Sequence, residues 1–183
     1  SSNLEIINHY NYDIDNYILF NNKQLPTDIR IGIAYDENPT SINKIIENLK
    51  FHTKKFNKKN IQDLLKNNLE KINDKELKIW YKLEDNKIKD SSQNYLDGII
   101  NGNLEVVNLN SYDKAIKIVN LINGFETPVI KLNKFTLMIK INLNESTSLI
   151  NIINYNNLNI KINNNEIKIY NNDILLETSE INF

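Results

Sequence analysis

The sequence predicts a single α+β domain, with helices concentrated in residues 41–124 and an antiparallel β meander in the carboxyl-terminal third. Three observations carry that expectation. Ile42, Ile45, Ile46, Leu49 and Phe56 recur at helical spacing. The last third alternates apolar and polar residues between asparagine-rich turns. No repeat and no Gly/Ser/Pro linker divides the chain, so one domain spans 1–183, with a sub-boundary, if any, near 125–128.

Taken in order, Ser2 and Glu5 have the form of a capping box, and Tyr17 to Phe20 reads as a strand. Ile29, Ile31 and Ile33 share one face of an alternating run, which predicts a strand over 28–35. After Pro39, Thr40 or Ser41 caps a helix over 41–55, and Asn60 caps a second over 60–72. Leu77, Ile79, Tyr81 and Leu83 alternate as a strand. Tyr95, Leu96, Ile99 and Ile100 mark a short helix ending at Gly102. A strand over 104–109 precedes a fourth helix, capped by Ser111, running through Ala115, Ile118, Val119 and Ile122 to Gly124. From Pro128 onward, 129–132, 135–143, 158–162, 166–170 and 174–183 read as strands. Asn163 to Asn165 and Asn171 to Asp173 supply turns that tolerate positive φ.

Composition bounds the function classes. The 183 residues are 40% hydrophobic and 25% charged, a globular mixture, and the net charge of -1 creates no global field toward nucleic acid or anionic membrane. Apolar runs fall far short of the roughly 20 residues of a membrane helix. With no cysteine, disulfides and cysteine-based zinc sites are ruled out. That favours a cytoplasmic or other reducing compartment, and it also fits a secreted protein without staples. The sequence opens at Ser1 without an initiator Met, so a trimmed or processed amino terminus is expected. Asn, Ile, Lys and Tyr abound while Arg30 is the only arginine, as in a very AT-rich genome of a virus, parasite or endosymbiont.

Few residues point to chemistry. Lys50, Lys54, Lys55, Lys58 and Lys59, interleaved with Phe51, His52 and Phe56, form a candidate polyanion-binding segment over 50–59. Asp13 and Asp15 are weak candidates for holding Mg²⁺, two hard oxygens on one strand face. His9 and His52 form no metal pair. There is no Gly-x-Ser-x-Gly elbow and no glycine-rich phosphate loop.

Tyr95-Leu96-Asp97-Gly98-Ile99-Ile100-Asn101-Gly102-Asn103 resembles a degenerate helix of the LAGLIDADG homing endonucleases, and 118–124 is similar to a stretch of organellar members. Asn101 and Asn103 stand where the acids should end that motif, so the resemblance implies an inactive nuclease. Ile31 to Asp36, followed by Ile45 and Ile46, resembles the cytosolic β-to-α transition of small mechanosensitive channels, without a pore helix.

The leading expectation is therefore a non-enzymatic interaction or structural module acting through a protein partner and needing no cofactor. A nucleic-acid-binding domain using 50–59 is the first alternative, and an unrecognised enzyme the second.

Overall fold

The computed structural model describes residues 11–13, 28–32, 44–53, 75–111, 113–119, 123–130, 134–143, 150–155, 158–163, 166–171 and 173–180. Thirteen strands occupy them: β1 (Asn11–Asp13), β2 (Ile29–Ile31), β3 (Lys44–His52), β4 (Leu77–Tyr81), β5 (Ile99–Asn101), β6 (Glu105–Asn108), β7 (Lys114–Ile118), β8 (Gly124–Glu126), β9 (Lys134–Leu143), β10 (Ile150–Tyr155), β11 (Leu158–Ile162), β12 (Glu166–Asn171) and β13 (Ile174–Glu180). Among the described residues there is no helix. The α+β expectation is overturned: this part of the molecule is all β.

The strands form two antiparallel sheets. One runs β1-β9-β3-β7-β6, with β4 also paired to β3, and the other runs β13-β12-β11-β10-β2-β8-β5. Residues from both contribute to one buried cluster, including Ile46, Leu49 and Ile116 from the first and Ile31, Phe125 and Ile153 from the second. Aromatic rings meet across the interface. Tyr81 lies edge-on to Phe125 at 5.9 Å between centroids, and Phe135 edge-on to Tyr155 at 6.3 Å. The two sheets therefore pack face to face, as in a sandwich.

Where it is described, the predicted helix over 41–55 is the strand β3 (Lys44–His52), the axis of the first sheet. A register shift between Ile46 and Asn48 explains the misleading pattern. Lys44 and Ile46 are buried before the shift, Leu49 and Phe51 after it. One extra residue at a bulge turns a spacing of two into three, so Ile46 and Leu49 face the same side of a strand at a helix-like interval.

The predicted helix from Ser111 is also a strand. In β7, Ile116 and Ile118 are buried and pair with Ile46 and Lys44 of β3. The predicted helix at 95–100 is a loop followed by β5. Ile100 packs on the core, whereas Tyr95 and Ile99 are exposed, so the four apolar residues share no common face.

The remaining strands follow the alternation. β4 and β9 occupy predicted positions, β6 lies within 104–109, and β11 has the predicted bounds. The meander β11-β12-β13 pairs in consecutive antiparallel order, with Ile167 and Ile169 both buried and Ile160 and Ile162 on their own inward face. The 28–35 strand is described as β2 up to Gly32, whose φ of 80° turns the chain. Three strands, β1, β8 and β10, have no counterpart in the sequence reading. The expectations for Tyr17 to Phe20 and for the helix over 60–72 lie outside the described residues.

Candidate functional site

Between β4 and β5 the chain makes a long loop, 82–98, that is anchored at several points. Leu83 and Ile88 are buried in the core cluster. The loop then folds back along β4. Ser91 N donates to Trp80 O (2.7 Å), Ser92 Oγ to Lys78 O (3.1 Å), and Asn94 Nδ2 to the carbonyls of Leu77 (2.9 Å) and Lys78 (3.1 Å). These bonds occupy main-chain groups of β4 that its pairing with β3 leaves over.

Asp90 is the knot of this loop. Its Oδ1 accepts from the main-chain N–H groups of Trp80 (3.0 Å) and Ser92 (2.9 Å), and its Oδ2 from Ser92 Oγ (2.8 Å) and Leu96 N (2.9 Å). Asp97 extends the knot by accepting from Asp90 N and pairing with Lys89. The Lys89 hydrogen bond is the main reason the Asp97 carboxyl titrates below the usual range. Beneath the loop, the Tyr81 hydroxyl donates to Leu96 O at 2.6 Å. Burial, reinforced by Asp90 and Asp97, pushes that phenol well above its ordinary pKa.

Three non-glycine residues in this stretch have positive φ: Leu83 (62°), Gln93 (72°) and Tyr95 (57°). Such conformations are strained for bulky side chains and persist where surrounding bonds over-determine them. Here they bring Tyr95 to the surface. It is 88% exposed, the most exposed of the large hydrophobic side chains among the described residues. Ile99, at the start of β5, is 54% exposed, and Val129, just beyond the β8 strand that pairs with β5, is 65% exposed.

A second polar feature lies inside the sandwich. Lys44 is fully buried, and its ammonium donates to Gly32 O (2.9 Å) and Asn151 O (3.2 Å). Lys44 belongs to the first sheet; Gly32 follows β2, and Asn151 lies on β10, both of the second. The side chain thus straps the sheets together, donating where β2 ends at Gly32 and where β10 shifts register against β11 beyond Asn151. It forms no ion pair with a carboxylate among the described residues, and burial pushes its pKa down to about 8.

Of the residues singled out from sequence as candidates, Lys50, His52 and Asp13 lie among those described. Lys50 sits on β3, only 4% exposed, with Nζ 4.0 Å from the Trp80 ring centroid in a cation–π contact that Lys82 also makes at 4.9 Å. Lys54, Lys55, Lys58 and Lys59 lie outside the described residues. The main chain of Asp13 pairs with Lys134 at the end of β1, and Asp15 lies outside the described residues. His52 is buried at the end of β3, and His9 lies outside the described residues. Among the described residues no group of His, Asp and Glu side chains is arranged to hold a metal, and no helix is long and apolar enough to cross a membrane.

Sequence reasoning missed both Lys44 and the Asp90 knot. The knot left a trace: Asp90-Ser91-Ser92, with Asn94 close by, is rich in side chains that bond to nearby backbone. Lys44 left none, being one lysine among many. In comparisons with known proteins no family model matches the chain, and neither a curated protein nor a solved structure is significantly similar to it.

Proposed function

We propose that this chain is a non-enzymatic binding module that engages a protein partner through the 82–98 loop, with Tyr95 at the centre of the contact. The observation behind this reading is an aromatic ring that is 88% exposed on a loop tied down through Asp90, Asp97 and Asn94. A tyrosine offers a large amphipathic surface with few rotatable bonds, and a loop already ordered loses little entropy on binding. Tyrosine is accordingly enriched among the residues that dominate interface energies. Ile99 and Val129 add apolar surface on the β5–β8 side of the loop.

Site-specific photocrosslinking tests this. A photoreactive phenylalanine at position 95 should capture one protein species from the native source. The same probe at exposed Lys87 should not. Excess unlabelled wild-type chain should abolish capture, and excess Tyr95→Ala chain should not. Equal capture at both positions, or competition unaffected by Tyr95→Ala, would remove the loop from the proposal.

A further inference from the structure

Three of the four glycines follow an Asx residue: Asp97 precedes Gly98, Asn101 precedes Gly102, and Asn123 precedes Gly124. An Asn followed by Gly is chemically prone to cyclise. The glycine nitrogen can reach the Asn Cγ because glycine brings no Cβ to obstruct the ring and rotates freely. Whether the reaction occurs depends on how tightly each pair is held, and here the three pairs differ.

At Asp97/Gly98 both reacting groups are engaged. The Asp97 carboxylate accepts from Asp90 N and pairs with Lys89, while Gly98 N donates to Ile88 O at 2.7 Å. At Asn123/Gly124 the Asn is 6% exposed and has interaction partners. Its carboxamide oxygen packs so closely over Gly102 that a Cβ there would overlap it. Gly124 is itself buried in β8. At Asn101/Gly102 Asn123 packs over the glycine, but the reacting asparagine side chain is held less tightly. Asn101 is half-buried at the end of β5, the last strand of its sheet among the described residues. Its carboxamide makes no hydrogen bond among the described residues, and Gly102 is exposed, with φ of 76°.

We propose that Asn101 is a site of spontaneous deamidation, and that the fold protects Asn123 from the same reaction. Gly102 N forms a bond to Asn101 Cγ, the Cγ–Nδ2 bond breaks, and ammonia leaves with the proton from Gly102 N. Water then opens the succinimide at either carbonyl, giving aspartate or isoaspartate. Either product adds one negative charge at the end of β5. The isoaspartyl form also lengthens the main chain by a methylene where Asn101 pairs with Gly124, loosening β5 at that end.

The test is to incubate the folded protein and a urea-unfolded sample in mildly alkaline buffer and follow both Asn-containing peptides by mass spectrometry. In the unfolded chain both sites should convert at similar rates. In the folded protein Asn101 should react faster than Asn123 by a factor on the order of ten or more, the ratio that about 1.4 kcal/mol of barrier produces. Asn101→Gln should remove the dominant acidic species from the folded sample. Equal rates at the two sites in the folded protein would overturn the proposal. So would an Asn101 that stays intact while the unfolded chain is consumed.

Discussion

Two charged side chains organise this molecule in opposite ways. At the surface, the Asp90 carboxylate gathers donors from Trp80, Ser92 and Leu96 and freezes the part of the loop that follows Ile88. In the interior, the Lys44 ammonium donates to the carbonyls of Gly32 and Asn151 and joins two sheets that already share a core. Each satisfies main-chain groups that regular strand pairing leaves over. The settings differ: the loop is half-solvated, whereas Lys44 has surrendered its hydration and gained only neutral partners. Burial therefore works against the charge of Lys44, and its pKa falls to about 8. The same device, a charge spent on backbone groups, orders a loop cheaply at the surface and carries a protonation cost in the core.

Four measurements would sharpen or break that contrast, beginning with the largest effect. Lys44→Ala should lose about 3–5 kcal/mol of unfolding free energy in urea, because it leaves a cavity and takes a hydrogen bond from each of two buried carbonyls. Lys44→Met fills the space and removes the charge, so it should cost about 1–2 kcal/mol less than the alanine variant. If Lys44→Ala costs less than about half a kcal/mol, as a surface site would, the strap between the sheets does not exist.

The second measurement is pH dependence. The folded value of about 8 lies below the ordinary 10.5, so between these the unfolded chain holds the Lys44 proton and the folded chain does not. Raising the pH through that window should stabilise the protein through Lys44 by up to about 3 kcal/mol. Below pH 8 both states are protonated and the full cost of the buried charge remains. Tyr81, whose pKa is raised, opposes this at the alkaline end, so the comparison belongs below the ordinary tyrosine range, about pH 10. Lys44→Met should flatten the rise; a rise of the same size in that variant would assign it to other groups.

Third, Asp90→Ala should cost about 2 kcal/mol globally. It should also collapse amide-exchange protection at Ser92 and Leu96 while leaving β11 and β12 protected. Protection lost equally in the meander would mean that the loop is not a separate unit. Smallest of all, Tyr95→Ala should change stability by less than about half a kcal/mol, as an exposed side chain should. A larger loss would make Tyr95 part of the packing and weaken its role as a contact residue.

The carboxyl-terminal strands were legible because nothing interrupts their alternation: Ile160 and Ile162, then Ile167 and Ile169, come at a spacing of two between asparagine turns. β3 was not legible, since the register shift after Ile46 imitates a helical interval. β7 misled for a related reason. Ala115 and Ile116 are both buried, and the choice between Ile116/Ile118 and Ala115/Ile118 as the inward set is made by pairing with β3. β5 shows that spacing alone does not establish a face. Tyr95 and Ile99 sit one helical turn apart, yet the loop geometry around Asp90 sends both to solvent. The candidate site was the least legible part, because an aromatic earns that role only by being exposed and held, and neither property is written in local sequence.

By itself, the sequence determined where the apolar residues lie, that no cysteine could contribute a disulfide or a metal ligand, and where the asparagine turns of the last three strands fall. These follow from residue type and from short-range geometry. Tertiary structure alone decided that residues 44–52 and 114–118 pair as strands, that Lys44 spends its charge between two sheets, and that Tyr95 stands in solvent. The reason is that the groups involved are far apart in the chain. Lys44 meets an acceptor 107 residues away, and β3 finds its longest partner in β9. Pairing and packing over such separations override a local period that fits helix and bulged strand alike.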